Sequence, residues 1–139
     1  MARLDKIHYA VKNALIKDGW TITDDPYTLV YKGQKFLVDL AAEKNLFVAE
    51  KGTEKIAVEV KSFLSPSKMP DLYSAVGQYE VYRVYLGKIA PERQLFLAVS
   101  EEIFQDFFTQ EAISIIIESQ NISVLSVNIE KEEITKWIK

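Results

Sequence analysis

Ile56-Ala57-Val58-Glu59-Val60-Lys61-Ser62-Phe63 reads as a β-strand. Ile56, Val58 and Val60 alternate with Ala57, Glu59, Lys61 and Phe63, and β-branched residues suit a pleated chain. Every second side chain of a strand points to one face, so Glu59 and Lys61 emerge side by side. Their neighbours are apolar on both faces, which predicts a strand in the middle of the protein. A carboxylate and an ammonium are rarely placed there unless paired or bound to something.

Turn chemistry sets the strands around it. Residues 46–50 partner 55–63 across Lys51-Gly52-Thr53-Glu54. Residues 27–31 and 34–40 form a second pair around Lys32-Gly33, the later strand carrying Phe36, Val38 and Leu40 opposite Leu37 and Asp39. Thr23-Asp24-Asp25-Pro26 reads as the turn before this pair. Upstream, Leu4, Ile7, Val11 and Leu15 recur at helical spacing over residues 3–18, an amphipathic helix stopped near Gly19. The first half is therefore expected to be a helix followed by a four-stranded antiparallel meander.

Ser65-Pro66-Ser67-Lys68-Met69-Pro70 ends the sheet, and proline suits the first turn of a helix. That helix runs from near Pro70 to Leu86 or Lys88. Leu72, Ala75, Val76, Tyr79 and Arg83 form one stripe on it; Asp71, Ala75, Gln78, Tyr82 and Tyr85 form the next. Residues 94–99 read as a buried strand, 101–108 as a short helix and 122–127 as another strand. Residues 111–120 suit a helix, although Ile115-Ile116-Ile117 equally suits a strand, and 130–139 fits either. There is no repeat, low-complexity run or linker. The expected fold is α/β (α+β mixed), a single domain over residues 1–139 with a central mixed sheet flanked by helices.

A chain of 139 residues is long enough for one real core. With 48% hydrophobic and 27% charged residues it has the composition of a soluble globular protein. A net charge of −3 argues against a surface built wholly to hold nucleic acid, leaving room for a local basic cleft. The absence of cysteine excludes disulfides, thiolate zinc sites and a cysteine nucleophile. No apolar run reaches membrane-spanning length and Met-Ala-Arg-Leu-Asp-Lys lacks the core of a signal peptide, so a cytoplasmic protein without a membrane partner is expected.

Asp39 ends an apolar strand, and Glu59 and Lys61 share a neighbouring one. Two carboxylates and a lysine suit magnesium-dependent phosphodiester hydrolysis. Magnesium takes oxygen ligands and keeps several waters, so one or two carboxylates suffice. It polarises a phosphate and acidifies water. Lys61 would orient that water or neutralise charge on the phosphorane, and the Val60 carbonyl could add a ligand. Glu50 or Glu43 could take the place of Asp39, whose strand is the more apolar.

Asp39 followed by Ile56-Ala57-Val58-Glu59-Val60-Lys61-Ser62 resembles the PD-(D/E)XK nuclease superfamily with its restriction-endonuclease-like core. Gln78-Tyr79-Glu80-Val81-Tyr82 adds the glutamine-x-x-x-tyrosine pattern of some of its branches. Val38 stands where the superfamily name has proline. The closer resemblance is to the fdxN element excision controlling factor XisH family. It is carried by residues 11–23, Ala42-Glu43-Lys44, Ala49-Glu50-Lys51-Gly52 and Gly77-Gln78-Tyr79, with matching segments as far as Trp137-Ile138. It implies a cyanobacterial accessory protein of programmed DNA excision during heterocyst differentiation, acting beside a site-specific recombinase and a companion protein, XisI. It also implies DNA as partner, Mg2+ (or Mn2+) as cofactor, and Asp39, Glu59, Lys61 and Gln78 as site residues.

Each feature has a plainer reading. Glu59 and Lys61 would also suit an exposed pair on an edge strand, and Gln78 with Tyr82 a polar-aromatic helix surface. The lone histidine, His8, reads as packed surface. Phe104, Phe107 and Phe108 read as core or partner surface, and the acidic runs as solvated faces. Two functions follow: a metal-dependent endonuclease, or a catalytically silent nuclease fold that docks XisI or the recombinase. The sequence leaves oligomeric state open, a homo-oligomer included.

Overall fold

The computed structural model describes residues 3–35 and 46–139. Helix α1 (Arg3–Lys17) buries Ile7, Ala10, Val11, Ala14 and Leu15, the spacing of a single helical face. It stops because Gly19 takes φ +95°, which lets Trp20 N–H donate to the Leu15 carbonyl (3.0 Å) and Gly19 N–H to that of Ile16 (3.0 Å). Strand β1 (Thr21–Asp24) follows, then β2 (Val30–Tyr31) and β3 (Gln34–Lys35) around Lys32-Gly33, residues 36–40 of the expected strand 34–40 lying outside the described residues. Both turn residues have positive φ, as a two-residue hairpin loop requires.

β4 (Leu46–Lys51) and β5 (Glu54–Val60) pair antiparallel, Leu46 opposite Glu59 and Glu50 opposite Lys55. Helix α2 (Lys68–Ile89) carries the chain to β6 (Arg93–Ser100), parallel to β5. Helix α3 (Glu101–Ile103), a π-helical turn (Phe104–Phe108) and α4 (Glu111–Ser119) lead to β7 (Val124–Asn128), parallel to β6. β8 (Glu133–Ile138) closes the sheet antiparallel to β7. The six-stranded mixed sheet has the order β1-β4-β5-β6-β7-β8, and β2-β3 form a separate ribbon.

Side-chain alternation sorts the sheet into two cores. Phe47, Val58, Phe96 and Leu125 pack with Val11 and Leu15 of α1 on one face. Leu46, Ala57, Leu97 and Val124 pack on the other with Leu72, Tyr79 and Leu86 of α2 and Ile113 of α4. The parity of β5 therefore aims Glu59 and Lys61, in phase with Ala57, at α2.

The expected mixed fold is present, with one correction to its topology. The four-stranded meander is not formed: β1 takes the outer place beside β4, and the β2-β3 ribbon stands apart, against α2 through Tyr31 and Tyr85. The first strand of the expected pair shrinks to Val30–Tyr31 because Tyr27 N–H is already spent on the Leu46 carbonyl (2.7 Å). Thr23 and Asp24, expected as turn, belong to β1, an edge strand needing only Ile22 to meet the core. The isoleucine run is helical, residues 133–138 are strand, and α2 starts at Lys68, whose Nζ donates to the carbonyls of Phe63 and Ser65 (both 3.0 Å).

Candidate active site

Glu59 occupies the centre of the sheet, with Leu46 and Leu97 as its partners on either side, and is 0% exposed. Burial of its apolar neighbours and ladder pairing with β4 and β6 fix the strand there, and the carboxyl goes where the pleat sends it. Among the described residues neither carboxyl oxygen of Glu59 has a hydrogen-bond partner, nor has Gln78 Oε1, also buried. Burial pushes the Glu59 carboxyl up to about 8, against the smaller opposing pull of the Lys61 charge.

Lys61 follows the strand but keeps its ladder bond, donating its backbone N–H to the Ala98 carbonyl (3.0 Å). Its Nζ donates to Ser74 Oγ of α2 (3.1 Å). This bond ties α2 to the end of the strand that carries Glu59. Ser74 and Gln78 are four apart, hence on one side of the helix and about 6 Å along it. Glu59 and Lys61 are two apart on the strand, about 6.6 Å.

Tyr79, beside Gln78, anchors the same helix to the sheet. Its hydroxyl donates to the Leu95 carbonyl (3.0 Å) and accepts from Ser123 N–H (3.0 Å). Burial raises its pKa, opposed by the bond from Ser123 and the Arg83 charge and reinforced by Glu59.

Of the sequence-derived site residues, Glu59 and Lys61 stand together, Lys61 is tied to α2 through Ser74, and Gln78 is buried on that helix. Asp39 and Glu43 lie outside the described residues. Glu50 is not brought to the group: it stands four register positions from Leu46, about 13 Å along β4, and its carboxylate takes Arg93 Nη2 at 2.9 Å. Arg93 also donates to the Ile56 carbonyl (3.2 Å), so Glu50 belongs to a clamp across the strand ends. Among the described residues no three histidine, aspartate or glutamate side chains gather as a metal site. The donor set present still suits a hard cation, since all three orphaned atoms are oxygens.

Sequence reasoning missed Ser74 and the structural role of Tyr79. The i, i+4 spacing of Ser74 and Gln78 was the signal available. His8 is partly buried, its Nε2 3.0 Å from Asp25 Oδ1 and its ring 5.5 Å from that of Phe47. Lys12 Nζ lies 2.6 Å from Asp25 Oδ2. Burial raises the Asp25 carboxyl, but the bonds and charges of Lys12 and His8 outweigh it and hold it below its ordinary value. No described helix is long and apolar enough to cross a membrane.

Two solved structures are similar over nearly the whole chain. An XisH family protein from Nostoc punctiforme PCC 73102 is 39% identical with a TM-score of 0.88, over 97% of this chain and 100% of its own. An fdxN element excision controlling factor protein from Anabaena variabilis is 40% identical with a TM-score of 0.88, over 97% and 99%. No curated protein matches the chain. The family profile described as XisH protein matches residues 1–135, and on that span, with two structural relatives of this identity, the chain belongs to the XisH family.

Proposed function

We propose that this chain is a controlling factor for excision of a DNA element of the fdxN type, built on a PD-(D/E)XK (restriction-endonuclease-like) core with a nuclease-type site. The observation that carries the site is the buried Glu59 carboxyl, whose two oxygens have no hydrogen-bond partner among the described residues, with Lys61 next on its strand and a second such oxygen acceptor, Gln78 Oε1, buried on α2. A cluster of desolvated acceptors is costly unless something positive joins it. Glu59 would hold Mg2+ (or Mn2+) with Asp39, which lies seven positions before Leu46, the register partner of Glu59. Glu43 is the alternative within the same stretch. The bound cation would supply Lewis-acid polarisation of a phosphodiester and a more acidic water. Lys61, held by Ser74, would steady that water and offset charge building on phosphorus, while Gln78 would orient Lys61 or the phosphate.

The partners would be DNA, a site-specific recombinase and a companion protein of the XisI kind. Isothermal calorimetry with MnCl2 or MgCl2 tests the site: wild type should bind, and Glu59→Ala should lose the heat. Metal-dependent nicking of supercoiled or branched DNA should vanish in Glu59→Ala and Lys61→Ala. No cleavage of any DNA form by wild type would sink the endonuclease reading.

One observation favours a silent scaffold instead. A carboxyl pushed up to about 8 is protonated at neutral pH, a resting state that needs no metal. On that reading the fold docks the companion protein or recombinase. A complex with an XisI-type protein that persists unchanged in Glu59→Ala, with no metal binding by wild type, would decide for it.

A further inference from the structure

The chain leaves β5 through an uncommon conformation. Lys61 keeps its ladder bond to the Ala98 carbonyl (3.0 Å), and two residues later Phe63 has φ +52°. Large side chains avoid that left-handed region, because Cβ crowds the following carbonyl. Lys32, Asn121 and Glu132 are the other non-glycine residues there among the described residues, and Phe63 alone of the four is buried. A turn with no other duty is made with less strain by glycine.

What the phenylalanine adds is an anchor. Its ring meets that of Phe108 edge-on at 5.5 Å and that of Phe107 at 5.9 Å. Both belong to the π-helical turn, whose i to i+5 bonding widens the turn and brings successive side chains closer in direction, and both are buried. Lys68 Nζ donates to the Phe63 and Ser65 carbonyls (both 3.0 Å), and Ser65 N–H donates to Asp71 Oδ2 (3.2 Å). Extended backbone at Phe63 would set its ring in line with Glu59 and Lys61. The left-handed φ turns it out of that line, toward the π-helical turn, while Lys61 Nζ reaches Ser74 Oγ (3.1 Å).

We propose that Phe63 is a positioning residue for Lys61: its ring, seated on Phe107 and Phe108, fixes the exit of β5 so that the Lys61 ammonium is held at Ser74. Left-handed residues and π-helical turns are frequent at functional sites. Here one of each meets in a single contact, two residues past Lys61. That the held ammonium serves phosphodiester chemistry rests on the function proposed above; that Phe63 holds it does not. The anchor lies on the side of the sheet that carries α2, so a defect at Leu15, across the sheet, should not reach it.

Side-chain NMR relaxation of the full chain, isotopically labelled at lysine, reads the motion of the Lys61 stem and tests this without metal or DNA. In wild type the Lys61 Cε order parameter should exceed that of the exposed Lys88. Phe63→Gly, which suits the backbone and removes the ring, should bring it down to the Lys88 level. Phe107→Leu loosens the seat and leaves the chain beside Lys61 intact; it should lower the value as well, and it decides the matter if Phe63→Gly does not fold. Leu15→Ala, a loss of core on the other face, should leave it at the wild-type value. In metal-dependent nicking, Phe63→Gly should lower kcat about tenfold or more with the Mn2+ Kd unchanged, the mark of a misplaced group and not of a lost ligand. An unchanged Lys61 order parameter in both phenylalanine variants, or an equal fall in Leu15→Ala, overturns the inference, and so does nicking with kcat unchanged in Phe63→Gly. Absence of nicking by wild type removes the nuclease reading and leaves the order parameters to decide this one.

Discussion

Glu59 contributes to stability through its proton. The folded protein keeps that proton up to about pH 8, whereas the carboxyl's ordinary value is 4.5. The unfolded chain therefore gains from releasing it first. The contribution is complete below pH 4.5 and is lost as pH rises to about 8, by at most about 5 kcal/mol at 1.36 kcal/mol per unit. Glu59→Gln keeps the shape and removes the titration. Urea unfolding at pH 5.5 and pH 8 should show wild type losing stability over this window and Glu59→Gln losing markedly less; parallel losses would show that Glu59 is not the group responsible. The pair Glu59 and Lys61 was legible in the sequence because an apolar strand makes charged residues conspicuous. The clamp of Arg93 on Glu50 was not, since it joins residues 43 positions apart through a register no local pattern encodes.

At the scale of elements, α2 is held by two side chains with different chemistry, the Lys61–Ser74 bond at the surface and the Tyr79 hydroxyl inside. Tyr79→Phe keeps the ring and leaves the Ser123 N–H without its acceptor. The expected loss is about 1–3 kcal/mol in chemical denaturation, the cost of stranding a buried donor. A change under about 0.5 kcal/mol would mean that water replaces the hydroxyl. The helices and the β4-β5 hairpin were legible because their apolar spacings are long and their turns carry glycine. β1 was hidden: four residues with Ile22 alone facing the core look like turn chemistry when Asp25 and Pro26 follow. The ribbon β2-β3 was misplaced for the opposite reason, since Leu29, Val30 and Tyr31 have strand composition but their place in the fold is set by contact with α2.

For the whole molecule, one sheet divides two cores, and among the described residues α1 alone provides the helical side of one of them. Leu15, fully buried there, should cost about 2–5 kcal/mol when changed to alanine, read from the shift in the urea midpoint. Since α1 and Glu59 lie on opposite faces of the sheet, Leu15→Ala should leave any metal binding at Glu59 within about twofold of wild type under native conditions. A larger change would mean that the sheet transmits the loss. α2 belongs to the other face and has two sides of its own. Gln78 is buried, Ser74 lies at the surface where Lys61 reaches it, Tyr73 and Gly77 are exposed, and the four interleave along little more than one turn. A displacement of this helix that frees Lys61 from Ser74 also moves Tyr73 and Gly77. Free energy exchanged between the two sides must be reciprocal: if a cation at Glu59 shifts this helix, anything that binds the outward side and shifts it likewise changes the hold on the cation by the same factor.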